Sequence, residues 1–70
     1  MSGWTFNKER NRYELKSGNK LYTFSYQYNP KIKGWTGVDG KSYGTRRVTI
    51  PGGDTYHFGT DGSITNLNVL

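Results

Sequence analysis

The chain of 70 residues contains no cysteine and no alanine, and only one methionine and two prolines. Without cysteine, disulfides and thiolate metal clusters are excluded, so buried side chains must supply the stability. No segment approaches the ~20 apolar residues of a membrane span, and charges from Lys8 onwards interrupt any signal-peptide pattern. We therefore expect a cytoplasmic protein with no membrane partner, and the initial Met1 suggests a complete small gene product.

Basic residues are missing from residues 51–70, where the charged side chains are Asp54 and Asp61. All ten Lys and Arg residues fall within residues 1–50, and the formal net charge of the chain is +5. Such asymmetry favours one positive face and an anionic partner, either nucleic acid or an acidic protein surface. The alternative is a basic surface that merely keeps a small protein soluble.

Helical patterns are also missing, because glycines recur and apolar residues are spaced by two rather than by three or four. From Leu21 to Tyr28, for example, aromatic side chains alternate with smaller or polar ones. Turn-forming groups separate such runs, including Ser17-Gly18-Asn19, the proline-led Pro51-Gly52-Gly53-Asp54 and the hairpin-favouring pair Asp61-Gly62. The pattern predicts strands at residues 3–8, 11–17, 20–29, 35–38, 45–50, 54–59 and 63–69.

These strands predict an all-β fold: a small antiparallel meander of five to seven short strands that closes into an SH3-like or OB-like barrel. Closure would remove the exposed edges that an open, aromatic sheet presents to other chains. We expect one domain over residues 1–70, without internal repeats. Because the core is small, homodimerisation is a reasonable source of extra stability.

Catalytic and metal-binding patterns are weak. The single histidine, His57, lies between Tyr56 and Phe58 on a predicted strand, and no Ser-containing elbow motif accompanies it. The last hairpin offers Asp54, His57 and Asp61 as a candidate metal set, but one histidine with two loop carboxylates is a common coincidence. The sequence therefore predicts a non-enzymatic protein without a cofactor or metal site.

The remaining pattern is a mixture of aromatic and basic residues around the irregular segment 29–44. Flat rings stack on unpaired bases and cations neutralise phosphates, so this mixture is typical of single-stranded nucleic-acid binding. In this interpretation three rings stack and five cations contact phosphates; the candidate residues are Tyr28, Lys31, Lys33, Trp35, Lys41, Tyr43, Arg46 and Arg47. In the alternative interpretation, Trp35 plugs one end of the barrel and the lysines form a solvated rim.

Two short stretches resemble known motifs. Tyr28-Asn29 together with residues 33–38, Lys-Gly-Trp-Thr-Gly-Val, resembles the first nucleic-acid-binding motif of cold-shock domains, although Val38 stands where that motif has a second aromatic residue. Residues 56–66, "YHFGTDGSITN", resemble the hairpin of cell-wall- and glucan-binding repeats, which stack several copies where this chain has one. Neither stretch assigns the chain to a family.

The leading hypothesis is a small basic protein that binds nucleic acid, single-stranded in preference, through the aromatic and basic residues named above. The second hypothesis is a protein-interaction module, such as a small viral or mobile-element inhibitor that docks on an acidic host protein. The third is carbohydrate binding through the final hairpin.

Overall fold

The computed structural model describes residues 3–69 and places them in three small antiparallel sheets, each with three strands in chain order. The first sheet contains β1 (Thr5–Asn7), β2 (Arg12–Ser17) and β3 (Lys20–Phe24). The second contains β4 (Gln27–Asn29), β5 (Gly34–Thr36) and β6 (Ser42–Tyr43). The third contains β7 (Arg46–Thr49), β8 (Thr55–Phe58) and β9 (Ile64–Asn66), and a 3₁₀ helix (Leu67–Val69) follows it.

The all-β prediction is confirmed, but the predicted barrel is not. No strand pairing among residues 3–69 joins the three sheets to one another, so no closed barrel is present in this part of the chain. The predicted strand 20–29 is divided at Ser25 and Tyr26, and the strand Ser42–Tyr43 was not predicted. Residues 1, 2 and 70, the ends of the predicted domain, lie outside the described residues. No helix of residues 3–69 is long and apolar enough to cross a membrane.

The alternation of apolar and polar side chains along β2 and β3 explains how the first sheet forms. Tyr13 and Leu15 on β2 pair with Phe24 and Tyr22 on β3, so apolar side chains from both strands share one face. The polar residues between them, such as Glu14, point to the other face. Ser17 pairs with Lys20, and the two-residue turn between them contains Gly18 with a φ of 62°. The turn that the sequence predicts at Ser17-Gly18-Asn19 is therefore present.

The core lies where the three sheets meet, and every sheet contributes to it. Its buried members are Trp4, Leu15, Phe24, Trp35, Ile50, Tyr56 and Phe58. Phe24 and Phe58, from the first and third sheets, stack with their ring centroids 3.7 Å apart, and Trp35 meets Phe58 edge to face at 5.5 Å. Because aromatic pairs add about 0.5–1.5 kcal/mol beyond burial of their area, a few rings suffice for so small a core.

Hydrogen bonds also connect the sheets. The Trp35 indole Nε1 donates to the Gly59 carbonyl oxygen at 2.9 Å, and the Tyr28 hydroxyl donates to the Thr60 carbonyl oxygen at 2.6 Å. Both bonds tie the second sheet to the turn between β8 and β9. On the other side of the second sheet, Gln27 Nε2 donates to the Asn11 carbonyl oxygen in the β1–β2 turn at 2.8 Å. The second sheet is thus anchored to both of its neighbours.

Candidate functional site

The three predicted stacking residues lie in one row across the second sheet, since Trp35 pairs with Tyr28 on one side and Tyr43 on the other. That row faces the core. Trp35 is 0% exposed, and its ring contacts Phe24 and Phe58 edge to face at centroid distances of 5.5 Å. The prediction that Trp35 stacks on a base is therefore wrong, because its ring is a central part of the core. The alternative interpretation expected Trp35 to be buried, but as the plug of a barrel, and no barrel is present among residues 3–69.

Tyr28 is half-buried and already engaged. Its ring meets Trp35 edge to face at 5.3 Å and lies close to Gly62, where an added Cβ would come within 2.9 Å of Tyr28 Cδ2. Its hydroxyl is bound to the Thr60 carbonyl. Tyr28 therefore serves mainly to join the second and third sheets, and little of its ring remains for a ligand.

Tyr43 is the predicted ring that is paired with a cation. The Arg46 guanidinium carbon lies 3.8 Å from the Tyr43 ring centroid and 5.2 Å from that of Tyr26. The Tyr26 and Tyr43 rings meet edge to face at 5.3 Å. Arg46 Nε is buried and has no hydrogen-bond partner among the described residues, so this guanidinium is positioned by the faces of the rings.

Asp39 fixes the orientation of Tyr43. The Tyr43 hydroxyl donates to Asp39 Oδ2 at 2.9 Å, and the Lys41 amide donates to Asp39 Oδ1 at 3.0 Å. The Lys41 amide and then the Tyr43 hydroxyl lower the pKa of Asp39 below its ordinary value of 3.8. The same hydrogen bond to the carboxylate raises the pKa of the Tyr43 hydroxyl. At neutral pH the carboxylate is therefore ionised and holds the ring in place.

The predicted cations do not form one cluster. Lys31 and Lys33 lie in the β4–β5 turn, whereas Lys41 lies beyond β5, in the turn at the opposite end of the second sheet. Arg46 and Arg47 are consecutive on β7 and point to opposite faces of the third sheet. Arg47 is exposed and pairs across strands with His57, while Arg46 faces the tyrosines. The structure brings Tyr43 and Arg46 into contact and places the Lys41 amide on the carboxylate that holds Tyr43, whereas Lys31, Lys33 and Arg47 make no such contact.

Most of the positive charge is exposed and not neutralised. All basic residues except Arg12 and Arg46 are exposed. Within residues 3–69 the only ion pair joins Arg12 Nε to Glu14 Oε2 at 2.8 Å. That contact, together with a hydrogen bond from Asn7, lowers the pKa of Glu14. The other basic side chains in this part of the chain have no carboxylate partner, so their field is available to an anionic ligand.

A groove of about 160 Å³ opens beside the Tyr26–Tyr43 pair. It is lined by Ser25, Tyr26, Gly37, Val38, Asp39 and Tyr43. A separate hollow of about 350 Å³ is lined by Asn11, Ser25, Gln27, Thr36, Gly37 and Val38. Because Gln27 and Thr36 pair next to the Tyr28–Trp35 pair, their side chains lie on the opposite face of the second sheet from Trp35 and Tyr43.

The groove contains residues that the sequence did not single out. Tyr26 and Ser25 both fall within the predicted continuous strand 20–29 and are not among the candidate residues. The break at Ser25 and Tyr26 places both beside the turn at residues 37–41, and hydropathy carries no signal for such a break.

Two of the candidate catalytic residues, Asp54 and Asp61, accept hydrogen bonds from neighbouring polar side chains. The Ser63 hydroxyl donates to Asp61 Oδ1 at 2.6 Å, and this bond is the main reason that the pKa of Asp61 is lowered. Asp54 Oδ2 accepts a hydrogen bond from Asn66. His57 pairs across strands with Arg47 and Thr65. Among the described residues no group of three or more His, Cys, Asp or Glu side chains is arranged to hold a metal ion.

Comparison with protein-family models, curated proteins and solved structures finds no match to this chain. The function is therefore argued from the geometry and charge of the site alone.

Proposed function

We propose that the chain is a small non-enzymatic protein that binds nucleic acid, preferably single-stranded, through its basic surface. The observation that carries the proposal is the excess of exposed cations without carboxylate partners. Lys and Arg side chains that contact phosphates release condensed counterions, and this release supplies most of the affinity of nonspecific binding. Closure into a barrel is not needed for such binding.

The contact surface centres on Lys41, Tyr43 and Arg46. The Arg46 guanidinium stacked on Tyr43 presents a flat cationic group, which suits both a phosphate and the face of a base. Lys31, Lys33 and Arg47 lie farther along the molecule, where they attract the same strand without sharing that platform. Trp35 has no contact role, and Tyr28 contributes at most its exposed edge.

Fluorescence anisotropy with a labelled single strand of about ten nucleotides tests the proposal at salt concentrations between about 50 and 200 mM. We expect the affinity to fall steeply as salt rises. Lys41→Ala should weaken binding and reduce the slope of log K against log salt by about 0.7, the change for one lost phosphate contact on a single strand.

Lys20→Ala is the matched control, because Lys20 is also exposed but lies at the β2–β3 turn, away from the groove. It should leave the salt slope closer to that of the wild type than Lys41→Ala does. Absence of binding at tens of micromolar protein and low salt would refute the proposal. If polyglutamate binds under those conditions where DNA and RNA do not, the protein-interaction hypothesis replaces it. Sedimentation of the same sample tests homodimerisation.

A further inference from the structure

We propose that three side chains on the outer face of the third sheet hold one phosphate of the bound strand, and hold it more tightly when His57 is protonated. The inference rests on the proposed nucleic-acid binding. The three side chains form a row across the sheet, which we call the outer row: Arg47 on β7, His57 on β8 and Thr65 on β9. Arg47 pairs directly with His57, and His57 pairs directly with Thr65. Because Cβ atoms of directly opposite residues lie about 4.5–5.5 Å apart on one face, a single phosphate can reach neighbouring members of the row.

The outer row lies on the solvent side of the sheet. Tyr56 and Phe58 on β8 are buried, so His57 between them points away from the core. Arg47 is exposed, while His57 and Thr65 are half-buried. In the described part of the chain none of the three side chains of the row makes a hydrogen bond or an ion pair. Their donor groups are therefore available to a ligand.

The chemistry of the outer row is that of a phosphate site. The Arg47 guanidinium is a planar fork of N–H donors that matches a pair of phosphate oxygens. The Thr65 hydroxyl can donate one hydrogen bond, and a protonated imidazole at His57 donates from both ring nitrogens. A neutral imidazole carries one donor and no charge, so His57 contributes less to the same contact when it is deprotonated.

The pairing of Arg47 with His57 makes phosphate binding depend on pH. Like charges directly opposite each other on neighbouring strands destabilise the pair, and a phosphate bound between them offsets that repulsion. Binding and protonation therefore favour each other, and linkage requires the effect to be reciprocal. His57 is the only histidine in the chain, and histidine is the side chain whose charge changes between about pH 5 and 8. A change in affinity over that range thus reports on the outer row.

One carboxylate lies near the outer row. A Cβ added to Gly59 would lie 3.7 Å from His57 Cδ2 and 3.1 Å from Asp61 Oδ1, so Asp61 faces the imidazole from the β8–β9 turn. Arg47 faces it from β7, and neither β9 nor the 3₁₀ helix contributes a charged side chain. The hydrogen bond from the Ser63 hydroxyl holds the pKa of Asp61 below 3.8, so this carboxylate keeps its charge while a histidine titrates.

The outer row can share a strand with the surface around Arg46. Arg46 and Arg47 are consecutive on β7 and point to opposite faces, and among the described residues β7 pairs only with β8. A single strand that passes over β7 can therefore contact Arg46 on one side and Arg47 on the other.

Fluorescence anisotropy with labelled oligothymidine at about pH 5.5 and about pH 7.5 tests the outer row, since histidine changes its charge between these values and thymine and phosphodiesters do not. For the wild type we expect the slope of log K against log salt to be steeper by about 0.7 at the lower pH, the change for one added phosphate contact on a single strand. The same contact should raise the affinity about fivefold at ~0.1 M salt.

Three variants separate the outer row from a general effect of charge. His57→Gln keeps a polar side chain that gains no proton, so it should bind equally at both pH values. Arg47→Gln should reduce the gain in affinity at the lower pH, because the phosphate that couples to the imidazole is then held poorly. Lys20→Gln is the matched control: it removes one exposed cation at the β2–β3 turn and should keep the full gain. A full gain in Arg47→Gln would overturn the inference.

The imidazole itself gives a second readout that needs no variant and is unaffected by misfolding of one. The single histidine gives one ring Cε1 proton signal, which oligothymidine should shift at the lower pH. An equal gain in affinity in the wild type and His57→Gln, or an unmoved ring signal, would overturn the phosphate site while leaving the proposed function in place. No binding of oligothymidine at either pH removes both. A ring signal that moves with inorganic phosphate but not with oligothymidine would also overturn the inference, since the row would then be a site for free phosphate.

Discussion

The turns at residues 37–41 and 59–63 share one backbone hydrogen-bonding pattern but differ in what packs against them. In the first, the Gly37 amide donates to the Lys41 carbonyl and the Gly40 amide to the Gly37 carbonyl, both at 3.0 Å. In the second, the Gly59 amide donates to the Ser63 carbonyl at 2.9 Å and the Gly62 amide to the Gly59 carbonyl at 3.0 Å. In each turn an aspartate Oδ1 accepts the amide hydrogen two residues later, at 3.0 Å.

The neighbouring sheet covers only the second turn. Tyr28 packs on Gly62 and binds the Thr60 carbonyl, while Trp35 binds the Gly59 carbonyl. Beside the first turn lies the open groove, and Gly40, which corresponds to the half-buried Gly62, is exposed. The same local motif therefore forms a joint between sheets in one place and the wall of a candidate binding site in the other.

Alanine substitutions of the glycines in these two turns should give the largest difference in unfolding free energy. Gly62 and Gly40 hold equivalent positions with φ values of 85° and 78°, so alanine is strained at both. A Cβ at Gly62 would lie 2.9 Å from Tyr28 Cδ2 and collide with that ring, whereas a Cβ at Gly40 would lie in open space. We expect Gly40→Ala to cost about 1 kcal/mol of unfolding free energy and Gly62→Ala about 1–3 kcal/mol more.

Urea unfolding followed by tryptophan fluorescence measures both variants against the wild type. Equal losses at the two positions would mean that the contact between Tyr28 and the second turn contributes nothing to stability. The difference between two joined sheets and an open groove would then need another explanation.

Removal of one hydroxyl group gives the next largest effect. Tyr28→Phe breaks the bond to the Thr60 carbonyl, which joins distant parts of the chain, so we expect a loss of about 0.5–1.5 kcal/mol. Tyr43→Phe breaks a bond to Asp39 only four residues away, on the exposed side of the molecule, where water replaces it. Its effect on the unfolding free energy should be smaller. A larger loss for Tyr43→Phe would contradict the assignment of Tyr28 as the joint.

The smallest effects are changes in carboxyl pKa values. The pKa of Asp61 is lowered chiefly by the Ser63 hydroxyl, so Ser63→Ala should raise it. The pKa of Asp39 is lowered first by the Lys41 amide and then by the Tyr43 hydroxyl, so Tyr43→Phe should raise it. Each should stay below 3.8, because the backbone amide bonds remain. Carbon-detected NMR titration of the side-chain carboxyls measures both, and each variant serves as the control for the other aspartate.

The sign of the accompanying pH effect follows from these directions. Asp39 and Asp61 have lower pKa values in the folded chain than in the unfolded one, so their contribution to stability is present above the ordinary value of 3.8. It is lost as the pH falls through the lowered folded values. The wild type should therefore lose stability in acid, and each variant should lose less over the same range. An unchanged acid profile in both variants would contradict the assigned hydrogen bonds.

Much of the local structure was predictable from the sequence. Alternation located most strands, and the left-handed glycines at positions 18, 52 and 62 lie in turns that the sequence marked. Asp61-Gly62 was taken as a tight hairpin, yet Phe58 pairs with Ile64, so a five-residue turn connects the strands. Residues 50–54 repeat the hydrogen bonds of the turns at residues 37–41 and 59–63. The sequence did not reveal this repeat, because the first residue of the turn is Gly in two copies and Ile50 in the third.

The candidate site was only partly predictable. Tyr43 and Arg46 were predicted because they are aromatic or basic and lie near an irregular segment, and the structure shows the Arg46 guanidinium on the Tyr43 ring. Trp35 met the same criteria and is buried, because sequence alternation shows that two residues share a face without showing whether that face is covered. Tyr26 and Ser25 were missed because the strand break that exposes them has no compositional signal.

The sequence by itself determined that the chain is built from short strands and tight turns, and that its charge is positive and concentrated in the first fifty residues. Those properties follow from side-chain alternation, from the φ angles that glycine tolerates, and from the count of ionisable groups. Only the tertiary structure decided which turn is covered, which ring is buried and where a groove remains. Those outcomes depend on contacts between sheets that are far apart in sequence, such as Tyr28 with Thr60, and no local pattern records them.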